Sequence, residues 1–372
     1  MRCKPSRWLW GLLPLAVLAM IVNWLERPRI EGDLAQRTKD AISKAGMEWA
    51  AINFGKGGRD GLISGEASEE TERDKIHDVA GSVWGVRTID NKAKLLDKVD
   101  KYAWSATRLD KEIRIKGLAP SETDRKAIVA MAEKRFPGYQ IKHDMKLARG
   151  VPDKAAWLGG IDYGLRQLQQ LNKGGQADLD NLALTLSGEA STSATYKSVK
   201  TALGQMPKGV ALKQERVTAP PIKPFVWEAK SDAKQVVLSG YAPSEKARDQ
   251  VILEARQRFA TRTVVDRMEI GSGAPKDWER VADVSLTQLS KLESGTTQLS
   301  DVDLLISGMA AEESTKDVVV TALKTALPPA FRGTEKISFR IPSVPTASPF
   351  LTRVIFSGEQ IILLGHVPND EE

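Results

Sequence analysis

Early in the second hundred residues, apolar and polar positions follow two different spacings, and each spacing predicts one kind of element. Ile113 and Ile115 alternate with charged neighbours, which is the period of a strand with one buried face. Further on, Ile128, Ala132 and Phe136 recur four residues apart, as on the apolar side of an amphipathic helix. This stretch is therefore predicted to contain, in order, strands at 102–107 and 112–116, a helix at 121–136 and a strand at 139–147.

The same plan recurs along the chain, and a glycine marks each copy. Marker glycines that are two copies apart are separated by 120 to 125 residues, whereas the gaps between adjacent ones are alternately shorter and longer, so short and long units alternate. The long units carry an extra amphipathic helix before the first strand, as the leucines at 165, 168 and 171 indicate. A fixed period of this kind predicts tandem modules of one design. The marker glycines are Gly65, Gly117, Gly188, Gly240, Gly308 and Gly365.

These units predict an α+β fold in which an N-terminal transmembrane helix precedes tandem small modules. Short modules have the order β-β-α-β and long modules α-β-β-α-β, with the helices covering one face of a small sheet. Because modules of about 50–70 residues bury little surface alone, we expect neighbours to share interfaces. The predicted ranges are 1–33 for a cytoplasmic stub and anchor, 34–98 for module 1 (long), 99–150 for module 2 (short), 151–219 for module 3 (long), 220–272 for module 4 (short), 273–344 for module 5 (long) and 345–372 for an incomplete module 6.

The N-terminal apolar run, residues 8–25, contains no charged side chain. Eighteen such residues with tryptophans near both ends predict a membrane-spanning helix. The positive charges before the run predict that this end stays in the cytoplasm and that the modules are exported. A cleaved signal peptide is the alternative, and it would release the chain to the periplasm or the outer membrane.

Three of the later strands are apolar on both faces, at 236–238, 304–306 and 361–364. A sheet that is open to water on one side should alternate instead. We therefore expect the later sheets to be covered on both faces, by a neighbouring module or by a partner chain. Proline-rich segments at 219–224 and 342–349 separate a long module from the next short one and predict semi-rigid linkers.

Composition excludes several classes of site. A net charge of +6, spread over both signs, is too mild to indicate nucleic acid. The single cysteine excludes intrachain disulfides, and the three histidines lack the spacing of zinc ligands. The glycine-rich loop at 55–61 precedes a strand rather than a helix, so it predicts a hairpin turn rather than a phosphate site. No catalytic, metal-binding or cofactor-binding residue is predicted, no cofactor is expected, and the chain is not expected to be an enzyme.

The recurring phrase, an apolar strand ending in G-x-A/V before an acidic helix start, an amphipathic helix and a final strand, resembles the BON domain. With the apolar N-terminal run, residues 34–372 resemble the repeat region of alphaproteobacterial OmpA-family proteins. The resemblance implies a periplasmic location, with the chain in the inner membrane as a single-pass protein. Those proteins continue into a peptidoglycan-binding OmpA-like domain, which has no counterpart before Glu372, and module 6 lacks its helix and last strand. We therefore expect the chain to be a fragment of a longer protein.

BON-like modules are associated with phospholipid surfaces, which directs attention to basic residues near the ends of both short modules. A group of four or five cations beside an anionic leaflet contributes a few kcal/mol. The alternative is a solvated helix end, where cations complement the helix dipole. The candidate anionic-surface residues are Lys134, Arg135, Lys142, Lys146, Arg149, Arg256, Arg258, Arg262 and Arg267.

Together these features predict a non-catalytic, membrane-anchored periplasmic protein that interacts with envelope components and contributes to envelope integrity. The expected partners are the membrane through the N-terminal helix, anionic phospholipid, and envelope proteins or a second copy of the chain, with no nucleic acid. One alternative is a scaffold component whose modules stack within a periplasmic assembly. Another, a cell-wall hydrolase, requires a clustered catalytic set that the sequence does not show.

Overall fold

The computed structural model describes residues 6–55, 58–339, 352–358 and 360–365, with the side chains of 6–11, 23 and 357 outside that description. The chain divides into two compact units, Met1–Pro221 (unit 1) and Ile222–Glu372 (unit 2). Unit 1 contains α1 (Ser6–Lys44), β1 (Ala50–Gly55), β2 (Asp60–Ala67), α2 (Glu70–Gly81), β3 (Thr88–Asn91), β4 (Lys94–Leu95), β5 (Ala103–Arg108), β6 (Glu112–Ala119), α3 (Glu122–Arg135), β7 (Gln140–Leu147), α4 (Lys154–Leu168), β8 (Gln176–Asp180), β9 (Ala183–Glu189), α5 (Ser193–Leu203) and β10 (Ala211–Thr218). Unit 2 contains β11 (Val226–Ser231), β12 (Gln235–Ala242), α6 (Glu245–Arg258), β13 (Thr263–Ile270), α7 (Trp278–Leu289), β14 (Ser294–Ser300), β15 (Asp303–Ala310), α8 (Glu313–Thr325), β16 (Arg332–Phe339), β17 (Thr352–Ser357) and β18 (Gln360–Gly365).

The N-terminal helix α1 is continuous over 39 residues, so the predicted anchor and the predicted first helix of module 1 form one element. Its second half buries Leu34 and Ile42. In the described part of the chain, no helix is long and apolar enough to cross a membrane. The transmembrane segment predicted at residues 8–25 is therefore not confirmed.

The first sheet has the strand order β1-β2-β3, and the short strand β4 also pairs with β2. The antiparallel β1–β2 hairpin places Ala50 opposite Gly65 and Gly55 opposite Asp60. Its core combines Ile42 of α1 with Ile63 and Ile76, all buried. One edge of this sheet is β1, which has no second neighbour among the described strands.

Modules 2 and 3 were predicted as separate sandwiches, but their strands form one six-stranded sheet with the order β10-β9-β8-β5-β6-β7. At its centre, β5 of the short segment pairs antiparallel with β8 of the long segment, with Trp104 opposite Leu179. Both outer pairs, β6–β7 and β9–β10, are parallel. The two predicted modules therefore share backbone hydrogen bonds, not merely a packing interface.

Unit 2 repeats this arrangement, with the order β13-β12-β11-β14-β15-β16. The central strands β11 and β14 are again antiparallel, and Trp227 lies opposite Leu299. The register at the centre is therefore the same in both sheets.

Helices cover one face of each six-stranded sheet, and tryptophans fill the space above the central strands. Trp104 and Trp157 are fully buried in unit 1, as are Trp227 and Trp278 in unit 2. Helix α4 contacts both β5 and β8, so it bridges the two segments. The ring of Trp157 meets that of Tyr102 edge-on at 5.1 Å, and the Trp227 and Trp278 rings meet edge-on at 5.9 Å.

Within the described chain, the outer faces of the later sheets carry no second layer, so the prediction that a partner chain covers them stays a prediction. In β12 and β15, Val237 and Leu305 are only half-buried, whereas their neighbours Val236 and Ile306 are fully buried. Val237 lies opposite Val265. Apolar neighbours on the outer face therefore shield these side chains in part, without a second layer of structure.

Five of the six marker glycines lie inside the second strand of their hairpin, not at its end as was predicted for Gly117, and Gly365 is the last residue of β18. Gly117 has φ +117°, and a Cβ there would be 2.3 Å from the carbonyl oxygen of Ala103. Gly240 meets the carbonyl oxygen of Val226 in the same way. The marker glycine is therefore required because the neighbouring strand passes too close for any side chain.

The last described element is the hairpin β17–β18, which follows residues outside the described part of the chain. Thr352 lies opposite Gly365, and Ser357 lies opposite Gln360. Its large apolar side chains are exposed, including Phe356 at 74% and Leu363 at 69%. Neither strand has another partner among the described strands.

Candidate functional site

Two of the nine predicted surface cations join helices instead of facing a membrane. Arg135 at the end of α3 forms an ion pair with Asp162 of α4 at 3.0 Å. Arg258 at the end of α6 forms the corresponding contact with Asp283 of α7. Burial alone would raise the pKa of Asp162, but hydrogen bonds from Arg135 and Arg166 outweigh it and lower that pKa. These arginines fasten each short segment to the following long segment.

Arg149 and Arg262 are also occupied within the fold. The Nε of Arg149 donates a hydrogen bond to the carbonyl oxygen of Leu96 at 2.7 Å. Arg262 donates to the hydroxyl of Ser231, and its guanidinium lies 5.4 Å from the centre of the Phe259 ring. Both side chains therefore hold loops and strand ends in place.

The other five predicted cations are exposed. Lys142 forms an ion pair with Glu112 at 2.6 Å. Lys134, Lys146, Arg256 and Arg267 form no hydrogen bond or ion pair with another described residue. Four of the nine residues are therefore engaged within the fold, and the five exposed ones are Lys134, Lys142 and Lys146 in unit 1 and Arg256 and Arg267 in unit 2.

The sheet does assemble a basic surface on the outer face of β6 and β7 in unit 1. Arg114 lies opposite Lys142, and Lys116 lies opposite Asp144. Lys146 follows further along the same face of β7. Glu112 accepts hydrogen bonds from Lys142 and Arg114, which lower its pKa. Four cations therefore share this face with two carboxylates, so that the face has an excess of positive charge.

Arg114 and Lys116 were missed as candidate site residues, although the sequence carried a signal for them. They alternate with Ile113 and Ile115, which are both fully buried, so they must point to the opposite face of the strand. The parallel neighbour of β6 could not be identified from that alternation alone. Arg114, Lys116, Lys142 and Lys146 together form the basic face of unit 1.

The corresponding strands of unit 2 do not repeat the basic face. On β13 the outward positions are Val265, Arg267 and Glu269, and on β12 they include Val237 and Ser239. At these positions the positive charge of Arg267 is balanced by the negative charge of Glu269. Basic residues therefore recur in the sequences of both short modules, but only the unit 1 sheet gathers them on one face.

A pocket of about 200 Å³ in unit 1 lies between the segments predicted as modules 1 and 2. Two of its charged lining residues are engaged, since Glu48 pairs with Lys126 at 2.9 Å and Glu72 accepts a hydrogen bond from Ser68 at 2.8 Å. In the described part of the chain, no group of His, Cys, Asp and Glu side chains is arranged to hold a metal ion.

Two solved structures resemble part of the fold. One is the C-terminal domain of CdsD, the structural protein of the type III secretion system of Chlamydia trachomatis, with 9% identity over 51% of this chain and 98% of that chain and a TM-score of 0.17. A second structure of CdsD matches with 10% identity over 51% and 94% of the two chains and a TM-score of 0.18. At these TM-scores the likeness carries no functional argument.

Comparison of the sequence with known proteins gives one family. No curated protein matches the chain. OmpA-family membership and alphaproteobacterial origin, which the resemblance implied, are not shown. Residues 57–97, which include β2, α2, β3 and β4, match the BON domain family, and this part of the chain is a BON domain.

Proposed function

We propose that the chain is a non-catalytic protein of the bacterial cell envelope, located in the periplasm and built from tandem BON-like modules. The BON domain at 57–97 supports the envelope role. The recurring order of two strands, a helix and a parallel strand supports extending the BON-like description to residue 339. On this proposal the modules bind envelope components through their uncovered sheet faces, and anionic phospholipid is the first candidate ligand.

The observation that carries this proposal is the basic face of β6–β7. Lys116 and Lys146 are exposed and form no ion pair with a described carboxylate, so their charges remain available to a ligand. Near an anionic leaflet each such charge contributes about 1 kcal/mol, and the contribution weakens as salt is added. Parallel pairing of β6 and β7 also places these cations on one face of the sheet, so that several can approach one leaflet together.

Flotation of the full chain with phospholipid vesicles tests the proposal. Vesicles of phosphatidylcholine with and without one quarter phosphatidylglycerol separate charge-dependent binding from insertion of the apolar N-terminal run, which neutral vesicles also support. We expect Lys116→Gln combined with Lys146→Gln to weaken binding to anionic vesicles by about 30-fold, from two contributions of about 1 kcal/mol. Binding to neutral vesicles should not change.

A matched control removes two exposed lysines from the outer face of the unit 2 sheet, with Lys230→Gln and Lys336→Gln. This pair changes the net charge by the same amount but leaves the basic face intact. Equal losses in the two double variants would show that only net charge matters. Equal binding of the parent chain to neutral and anionic vesicles at low salt would refute phospholipid recognition.

A second candidate function is a scaffold component of a periplasmic assembly. The specific observation in its favour is that β1 and β17 each have an unpaired edge among the described strands. Unpaired edges are sites at which another chain can add a strand.

A further inference from the structure

In both six-stranded sheets, the two hairpins are joined at the centre by the same strand pairing. The first strand of a short hairpin pairs antiparallel with the first strand of the next long hairpin, as β5 does with β8 and β11 does with β14. In both cases the residue opposite the short segment's marker glycine, Trp104 or Trp227, faces a leucine of the long segment. This pairing therefore fixes the partner strand and also the register.

Among the first strands of the described hairpins, only β1 and β17 lack a second neighbour, and they are one of each kind. In β17, Thr352 lies opposite the marker Gly365. Thr352 therefore has the position that Trp104 and Trp227 have in their hairpins. Strand β1 is the first strand of a long hairpin, since α1 precedes it and Ala50 lies opposite the marker Gly65. An unpaired short-type edge and an unpaired long-type edge are therefore both present in the described chain.

Apolar side chains at these two edges are more exposed than their counterparts inside the six-stranded sheets. Ala177 and Thr297, in β8 and β14, are completely buried, but Ile52 at the same position of β1 is only half-buried. In β11, Ala229 is completely buried, whereas Val354 at the same position of β17 is 60% exposed. Ile52 and Val354 therefore lie at positions that are buried in the seam, the pairing of two first strands at the centre of each six-stranded sheet, but no described strand pairs with this edge of β1 or β17.

We propose that β17 of one copy pairs antiparallel with β1 of a second copy. The register of the two internal seams then places Thr352 opposite Phe54, Arg353 opposite Asn53 and Val354 opposite Ile52. Because α4 contacts both strands of its own seam, α1 of the second copy occupies the corresponding place over the apolar face of the hairpin. The contact joins different surfaces of two identical chains, so it propagates from copy to copy unless the copies close into a ring.

This contact does not depend on binding to phospholipid. A chain with no affinity for anionic vesicles would still assemble through β1 and β17. Conversely, loss of the strand contact would leave the basic face unchanged. The two proposals therefore fail in different experiments.

Disulfide trapping between two variants of the full chain tests the contact and its register. Cys3→Ser removes the single native cysteine from both. One variant then carries Asn53→Cys and the other Arg353→Cys, which are exposed positions on the outer face, where folding does not depend on the side chain. Mild oxidation of the mixture in detergent solution should give a disulfide-linked heterodimer, and either variant oxidised alone should stay monomeric in denaturing gels.

Gln298→Cys provides a matched control, because Gln298 is exposed on β14 at the position that corresponds to Asn53. The edge of β14 is already occupied by β11, so mixing this variant with Arg353→Cys should give no linked dimer. If the Asn53→Cys mixture gave no more linked dimer than the control, the proposal would be overturned. A segment elsewhere in the same chain that occupied the edge of β17 would give this negative result.

A second measurement separates strand pairing from loose apolar contact. Val354→Asp places a carboxylate in the proposed seam and should reduce the trapped heterodimer by about tenfold or more, because burial of an unpaired charge opposes association. Ile362→Asp changes another exposed apolar side chain, on the outer face of the hairpin, and should have little effect. Equal reductions by both variants would overturn the register and the proposal with it.

Discussion

Replacing a marker glycine by alanine should disrupt the fold far more than replacing another glycine with a similar backbone. Gly117 has φ +117° within β6, and Gly138 has φ +83° between α3 and β7. An added methyl group at Gly138 meets no atom within 4 Å. At Gly117 it meets the carbonyl oxygen of Ala103 at 2.3 Å and the Cα of Trp104 at 2.8 Å.

These distances give the expected size of the effect. The left-handed backbone costs about 1–2 kcal/mol for any residue other than glycine, and this applies to both positions. Only at Gly117 must the neighbouring strand also move, by about 1 Å to restore ordinary contact, and overpacking of this kind costs about 1–3 kcal/mol. We therefore expect Gly117→Ala to reduce the free energy of unfolding by about 2–5 kcal/mol in total, and Gly138→Ala by about 1–2 kcal/mol.

Hydrogen exchange of the full chain, followed by mass spectrometry, measures this difference locally. The additional 1–3 kcal/mol corresponds to exchange that is about 5-fold to 150-fold faster in β5 and β6 than in the Gly138→Ala variant. Strand β8 should lose protection as well, because it pairs with the displaced strand β5, whereas peptides of unit 2 serve as an internal reference. Equal exchange in the two variants would refute the steric argument, and an unchanged β8 would refute the shared sheet.

The ion pair between α3 and α4 predicts that Asp162→Asn lowers the free energy of unfolding by about 1.5–3 kcal/mol in urea titrations. Asp110→Asn breaks an exposed pair in the same unit and should change it by less than about 1 kcal/mol, and comparable losses would contradict the distinction. The same pair predicts a pH dependence. Because the folded pKa of Asp162 is depressed, its stabilisation is complete above the unfolded value of about 3.9 and is lost as the pH falls through the folded pKa, so Asp162→Asn should flatten the stability profile below about pH 4. Asn181 has φ +53° and accepts a hydrogen bond from the backbone N–H of Tyr102 at 2.9 Å, so Asn181→Ala should destabilise more than Asn181→Gly, which relieves the backbone; the reverse order in thermal melts would contradict this role.

The local elements of this protein could be predicted from its sequence because they depend on nearby residues. The alternation around Ile113 and the helical spacing of Ile128 and Ala132 identify which side chains are buried, and all three are completely buried. The identity of a strand's neighbour has no such local signal. Trp104 and Leu179 lie opposite each other across 75 residues of sequence, and nothing in the alternation of either strand specifies the other.

The candidate surface was predicted less well for a related reason. A count of basic residues near helix ends does not show which of them face a carboxylate elsewhere in the chain. Arg135 meets Asp162 only because α3 and α4 pack side by side. Arg114 and Lys116 become neighbours of Lys142 and Lys146 only through parallel pairing of β6 and β7. Charge can therefore be counted from the sequence, but the surface that presents it depends on the sheet.

The shared sheets have a consequence for how such a chain can change its length during evolution. The hydrogen-bonded seam lies inside each pair of short and long segments, and the prolines at 220, 221 and 224 lie between one pair and the next. Loss or duplication of one segment would leave a central strand without the partner that it pairs with at the middle of the sheet, so that the edge of this strand would be exposed. Loss or duplication of a whole pair, about 123 residues between equivalent glycines, leaves every central strand with its partner. The heritable building block is therefore the pair, which the pairwise spacing of the glycines already records.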